Sequence, residues 1–190
     1  MSVFLNGTEN VKEIFDPIKD FYKMRDKKRA ESLILTIIPF LLGIVFLGFD
    51  LCLETKRVFS LDSFIVDFLN QIITMLTLFI SFSMAYLSII ITSSSENVQD
   101  LKTKESKCYK LKDSREPCTL YQVLVNEITY TLLVEIIFLM VVLFEKFLLY
   151  LCSDIFLKYI IAVNIVILSH VLLVMMITVK DIYYSFWKSI

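Results

Sequence analysis

Residues Phe64–Thr92 read FIVDFLNQIITMLTLFISFSMAYLSIIIT, with Asp67 the only charge and none from Phe68 onward. A helix that crosses a bilayer needs roughly 20 mostly apolar residues, and a charge in hydrocarbon is costly. The stretch is too long for a strand and has no period-two alternation. It therefore reads as a membrane helix, and three more stretches match it. Leu33–Leu53 has Asp50 near its end. Ile128–Leu151 carries Glu135, Glu145 and Lys146. Ile155–Val179 is uncharged from Tyr159 onward. The fold class is thus all-α: a polytopic membrane protein with four transmembrane helices.

Composition agrees. The chain has 190 residues, 57% hydrophobic and 21% charged, and the charges crowd into 9–31 and 96–116. A soluble domain carries about a quarter charged residues, spread along its length. The cations set an orientation. Fifteen of the 19 Lys and Arg residues lie in 1–32, 93–127 and 180–190, and the other four are Lys56, Arg57, Lys146 and Lys158. By the positive-inside rule both termini and the middle connection face the cytoplasm. The division is an N-terminal arm (1–32), a first transmembrane hairpin (33–92), a cytoplasmic connection (93–127), a second hairpin (128–179) and a tail (180–190). The turn at Cys152-Ser153-Asp154 leaves no room for an outer domain. In the arm, Val11, Ile14, Phe15, Ile18 and Tyr22 recur at helical spacing, which predicts an amphipathic helix lying on the membrane or on the connection.

Within Phe64–Thr92, the residues Asp67, Asn70, Thr74, Thr77, Ser81, Ala85, Ser88 and Thr92 fall in one narrow sector of a helix. Small and hydroxylated residues let helices approach closely in lipid, so the seam predicts helix packing between copies. The same stripe would line a water-filled path if several copies assembled around it. Either reading implies a homo-oligomer, with a tetramer favoured, because one bundle has little use for so long a polar face.

Glu135 is the ionisable residue deepest in the third stretch, and His170 is the only histidine. Both are nearly equidistant from the Cys152–Ser153 turn, so an antiparallel hairpin predicts a Glu135–His170 pair at one depth. Such a pair would be a polar lock between helices or a protonation switch. Pro39 predicts a kink in the first span whose freed carbonyl is satisfied nearby. Cys52 and Cys152 fall at the outer face, where they would either bridge or stay free, and Cys108 and Cys118 lack zinc-ligand spacing. Lys102, Lys104, Lys107, Lys110, Lys112 and Arg115 form a basic run suited to lipid headgroups or a partner's acidic face. A net charge of −1 gives no broad basic footprint, so direct nucleic-acid binding is not expected. Nucleotide-binding and hydrolase motifs are absent from the sequence, which predicts no cofactor, no metal and no enzyme activity.

This layout of four spans around a charged cytoplasmic middle, with almost no outer loops, resembles the small four-span membrane subunits of bacterial anti-phage systems, such as the membrane partner of the Kiwa system. The resemblance implies an oligomer in the bacterial inner membrane that works with a cytoplasmic protein partner. On that footing the chain is expected to be a sensor or anchor. The alternative is a channel or membrane-depolarising effector built on the polar seam.

Overall fold

The computed structural model describes residues 13–24, 29–52, 61–110, 117–149 and 154–187. Six helices form there: α1 (Asp16–Met24), α2 (Arg29–Cys52), α3 (Leu61–Thr92), α4 (Glu96–Thr103), α5 (Leu120–Leu148) and α6 (Asp154–Trp187). The helical class is as the sequence predicts. Three helices contain stretches long and apolar enough to cross a membrane: Glu31–Gly48 in α2, Phe64–Thr92 in α3 and Phe156–Tyr184 in α6. Their outer surfaces are large and apolar, with Ile44, Phe82, Ile89 and Met176 all more than half exposed. Water-soluble monomers rarely expose contiguous patches of that kind. The chain is an α-helical, membrane-embedded protein.

The long helices run antiparallel in the lateral order α2–α6–α5–α3. Three sets of contacts fix this order. Leu35 and Gly43 of α2 meet His170 and Val166 of α6. Tyr130 and Glu145 of α5 meet His170 and Asn164 of α6. Asn70 and Ser83 of α3 meet Lys146 and Glu135 of α5. The α2–α3 pair, consecutive in sequence, shares no substantial contact among the described residues. The helices of the first predicted hairpin therefore stand at opposite edges of the array. The core lies between α3, α5 and α6, where Ile65, Leu69, Ile72, Leu76, Phe138, Val142, Leu157 and Ile161 are buried together.

The connection is more structured than its charge suggested. The short helix α4 buries Val98 and Leu101, and it packs against α5. Strands β1 (Glu105–Lys110) and β2 (Pro117–Thr119) then pair antiparallel, with Glu105 opposite Thr119 and Lys110 opposite Pro117. This hairpin is a small β exception in a helical chain. It delivers the backbone directly into α5. There Thr119 Oγ1 accepts from the Gln122 amide at 3.2 Å, and Gln122 Oε1 accepts from the Thr119 amide at 2.9 Å. The reciprocal cap satisfies two amides that a helix start leaves open.

Gly43 sets the spacing of α2 and α6. A Cβ there would collide with Val166 Cγ2 and lie 3.5 Å from the Ala162 carbonyl oxygen, whereas one at Gly48 would meet nothing within 4 Å. Val is stiff about χ1 and cannot swing clear. Overpacking of this kind costs ~1–3 kcal/mol. Gly43→Val should therefore lower the thermal stability of the detergent-solubilised protein. Gly48→Ala, which removes only backbone freedom, should leave it unchanged or raise it slightly. Equal effects of the two substitutions would show that α2 and α6 do not meet at Gly43.

Candidate functional site

Proline has no amide hydrogen, so Pro39, inside α2, leaves the carbonyl of Leu35 without its helical partner. An orphan carbonyl in an apolar surrounding is expensive. Here it is taken up by another helix: His170 Nδ1 lies 3.0 Å from the Leu35 oxygen. A carbonyl only accepts, so Nδ1 is the donor, and in the neutral ring Nε2 is then the acceptor. The hydroxyl of Tyr130, on α5, reaches Nε2 at 2.8 Å and supplies that proton. The Tyr130 oxygen in turn lies 3.1 Å from the Tyr22 hydroxyl. The hydrogen bonds thus run one way, from Tyr22 to Tyr130 to His170 to the Leu35 carbonyl of α2.

Tyr22 belongs to α1, in the arm, so this chain of bonds joins the arm to the three helices α5, α6 and α2. Packing holds it in place. The Phe21 ring stacks flat on Tyr130, with centroids 3.7 Å apart and planes 5° from parallel. Tyr22 meets both rings edge-on, at 5.4 Å to Phe21 and 5.8 Å to Tyr130. Phe21, Leu35, Tyr130 and Val174 are buried together, with Ile18 packed against them. Of the residues predicted to form the apolar face of the arm, Ile18 packs against this cluster, and Tyr22 makes its ring and hydroxyl contacts while staying 41% exposed. Ile14 and Phe15 are exposed, and Val11 is outside the described residues. Phe21, which that pattern omitted, is the main anchor.

The predicted Glu135–His170 pair does not form. Glu135 is fully buried, and its Oε1 accepts from Ser83 of α3 at 3.3 Å. Its Oε2 has no hydrogen-bond partner among the described residues. The two side chains take partners on different helices. His170 turns toward α2 and Glu135 toward α3, on either side of the α5–α6 contact. A second polar link lies nearer the α5–α6 turn: Asn164 Nδ2 donates to Glu145 Oε2 at 2.6 Å and to the Ile160 carbonyl at 2.9 Å. Asn164 was missed because an asparagine in an otherwise apolar run carries no pattern. At the other end Lys180 bridges Glu31, at 2.9 Å, and Asp181, at 3.2 Å.

The seam of α3 is placed as its spacing predicted, on one face. Asp67, Asn70, Thr74, Thr77, Ser81, Ala85, Ser88 and Thr92 are all exposed on the single chain. Four of the hydroxyls donate to the carbonyl one turn back: Thr74 to Asn70, Thr77 to Ile73, Ser81 to Thr77 and Thr92 to Ser88, at 2.7–2.9 Å. Asn70 accepts from Lys146 at 2.8 Å. In the basic run, Lys102 sits 5.1 Å above the Tyr121 ring and Lys104 pairs with Asp100 at 3.6 Å. Lys107 and Lys110 lie on β1. Lys112, Arg115 and Cys152 are outside the described residues.

Cys118 of β2 is buried and free. Burial pushes its thiol above the ordinary value, and the charge of Asp20, on α1, adds to the effect. Asp20 is thus near enough for its charge to be felt at Cys118. No grouping of three or more His, Cys, Asp or Glu side chains suited to a metal occurs among the described residues. Comparison with family models, characterised proteins and solved structures finds no match, so the functional reading rests on this geometry.

If His170 exists to serve the carbonyl that Pro39 frees, removing both residues should cost less than removing the histidine alone. His170→Leu leaves the Leu35 carbonyl without its donor and costs the Tyr130 hydroxyl its acceptor, a loss of ~1–3 kcal/mol for the buried carbonyl. Pro39→Ala restores an amide that bonds Leu35 within α2. Thermal unfolding in detergent should therefore find the Pro39→Ala/His170→Leu protein more stable than His170→Leu. A double variant less stable than the single would refute the assignment. Glu135→Leu should add to His170→Leu to within ~0.5 kcal/mol, because the two residues share no partner.

Proposed function

We propose that this protein is an oligomeric membrane subunit that couples the state of the bilayer to a cytoplasmic partner. In this reading α2, α3, α5 and α6 all cross the membrane, with both termini and the 93–127 connection in the cytoplasm. The case for α5 as the fourth span is its company: it runs beside α3 from the Asn70–Lys146 contact to the Ser83–Glu135 contact, in step with a helix apolar enough to span. Its acids are buried between neighbours rather than turned to lipid, which is where intramembrane acids belong. The cationic bias supports the orientation. A bacterial inner membrane and a role in anti-phage defence enter by the resemblance of layout.

The hydrogen-bond chain from Tyr22 to the Leu35 carbonyl carries the coupling argument. It has a cytoplasmic end, on a short helix docked against α5, and a membrane end, at the carbonyl that Pro39 frees. A partner that draws α1 away takes Phe21 and Tyr22 from Tyr130 and leaves Tyr130 free to turn from His170. Pressure or tilt that straightens α2 moves the Leu35 carbonyl and acts on the same bonds from the other side. Such coupling is reciprocal by thermodynamic necessity. The outward seam supports self-association. Its hydroxyls are already bonded along their own helix, so it offers a narrow, small-residue surface on which a second copy packs closely.

One observation favours the channel reading as a second possibility: the exposed seam ends outside at Asp67, Asn70 and Lys146, a polar mouth for a stripe that four copies could turn toward a shared axis. Conductance of purified protein in planar bilayers, altered by Ser81→Leu with the oligomer intact, would favour it over the sensor. An electrically silent bilayer under applied voltage would remove it.

The coupling is tested at Cys118, in protein carrying Cys52→Ser, Cys108→Ser and Cys152→Ser. Its buried, raised thiol should react slowly with a maleimide near pH 8, and Phe21→Ala should speed labelling by releasing α1. The deciding variant is Pro39→Ala, far from the thiol and inside the membrane. Coupling energies of this kind are typically about 1–3 kcal/mol, or roughly 5–150-fold in an equilibrium. Pro39→Ala and His170→Leu should each change the Cys118 rate about fivefold or more. Wild-type labelling rates in both would refute the coupling.

A further inference from the structure

Between α3, α5 and α6, in the half of the bundle that holds Glu135, lies a cleft of about 310 Å³. It is separate from the Tyr130–His170 chain, which faces α2. Its walls include Phe82, Ser83, Tyr86, Ile89, Thr131 and Met175. That volume is room for about ten groups the size of a water molecule, at ~30 Å³ each. The walls are aliphatic and aromatic, so the occupant is apolar in bulk.

The polar features of the cleft specify the rest. Ser83 lines it and donates to Glu135, whose side chain is fully buried and whose carboxyl group is directed at that wall. The second carboxyl oxygen has no hydrogen-bond partner among the described residues. Thr131, one turn along α5 from Glu135, also lines the cleft, but its hydroxyl is committed to the Glu127 carbonyl. Glu127 is itself buried, one further turn along. The α3 and α6 walls bring no charged residue: Phe82, Ser83, Ala85, Tyr86 and Ile89 come from one, and Met175, Thr178, Val179 and Ile182 from the other. Lys180, the nearest cation in sequence on α6, is held by Glu31 and Asp181. Among the described residues no cation is seen to offset this acid, which lies one serine behind the wall of a cleft that presents two aromatic rings.

An acid that lacks a cation, beside aromatic faces in an apolar cleft, matches one class of ligand. Aromatic rings attract cations through their quadrupole, most strongly where water is excluded. A small inorganic cation would lose too much hydration there, whereas an organic cation with its charge spread among apolar substituents fills the volume and stands one serine away from the acid. We propose that this cleft binds a lipophilic organic cation from the surrounding membrane, with Glu135 as its counter-charge, Ser83 between the two, and Phe82 and Tyr86 as its aromatic walls. The site stands or falls independently of the coupling through Tyr130 and His170.

Two ions of nearly identical shape and opposite charge provide the test. Full-length protein in a neutral detergent is titrated with tetraphenylphosphonium and, separately, with tetraphenylborate, by equilibrium dialysis. The phosphonium should bind saturably and the borate at least tenfold more weakly. Glu135→Gln keeps the size and a hydrogen-bonding head, and it should weaken phosphonium binding at least tenfold while leaving borate binding unchanged. Phe82→Leu, on the exposed rim and away from the acid, should weaken the phosphonium about fivefold, and it serves if Glu135→Gln fails to fold. Equal binding of the two ions would mean a cleft that takes any apolar group, a lipid chain included, and would overturn the proposal. So would no binding of either ion, or phosphonium binding indifferent to both substitutions.

Discussion

A carbonyl that its own helix cannot satisfy organises one side of this bundle. Pro39 removes the amide that would bond Leu35, and in hydrocarbon no water replaces it. His170 is the replacement. The two residues constrain each other: a kink at Pro39 is tolerable where α6 presents a donor, and a histidine inside an apolar helix is tolerable where both ring nitrogens have partners. Nδ1 has the carbonyl and Nε2 has Tyr130. Gly43, two turns beyond Leu35, lets α2 lie close enough to α6 for the bond to form. The contact between the edge helix and its neighbour is thus built from a missing amide, a missing side chain and one imidazole.

α5 plays a different part. Tyr130 faces α6 and the arm, Glu135 faces α3, and Glu145 faces α6 again near the turn. These three groups are distributed around the helix, and each is directed at a neighbour. An isolated helix of this composition would make a poor membrane span. Placed between α3 and α6, it also carries α1 and α4, and α2 joins the array through α6. The arm uses the same helix, stacking Phe21 on Tyr130.

Much of this was legible in the sequence, and the limits are physical. Segregation of charge marks the helices, because hydrocarbon penalises charge wherever it falls. The 3- and 4-residue spacing from Asp67 to Thr92 marks one face of α3, because helical periodicity is rigid, and that face is exposed as a unit. The hairpin count put Glu135 and His170 near one depth, because rise per residue is fixed. Rotation is where the count fails. Which way a residue points about its helix axis depends on packing with helices far away in sequence, and here the two residues diverge toward α3 and α2. The partner of His170 is a tyrosine whose length lets it reach from about one turn away, and tyrosines are common enough in membrane helices to carry no signal. The Leu35 carbonyl was half legible. Pro39 announced that a carbonyl would be free, but nothing in the linear pattern said that the one histidine would take it. The β-hairpin was hidden by the lysines along it, although Thr119 and Gln122, three apart before an apolar run, spell the cap of α5.

The divergence of Glu135 and His170 also bears on what the bundle does. Had they paired, each would have neutralised the other, and the interior would hold one closed polar lock. Separated, they make two environments of different character. On the α2 side every polar atom of the chain from Tyr22 to Leu35 has a partner, and the bonds have a direction, so the unit is well defined only while the arm stays docked. On the α3 side an acid is held by a single serine at the edge of an apolar cleft, with one oxygen unbonded among the described residues. A fully satisfied network rigidifies, and a partly satisfied one carries a standing cost that a suitable ligand relieves. The same helix, α5, forms one wall of both. A change in its rotation that suits one side must be felt on the other, because Tyr130 and Glu135 are five residues apart on a single rigid cylinder.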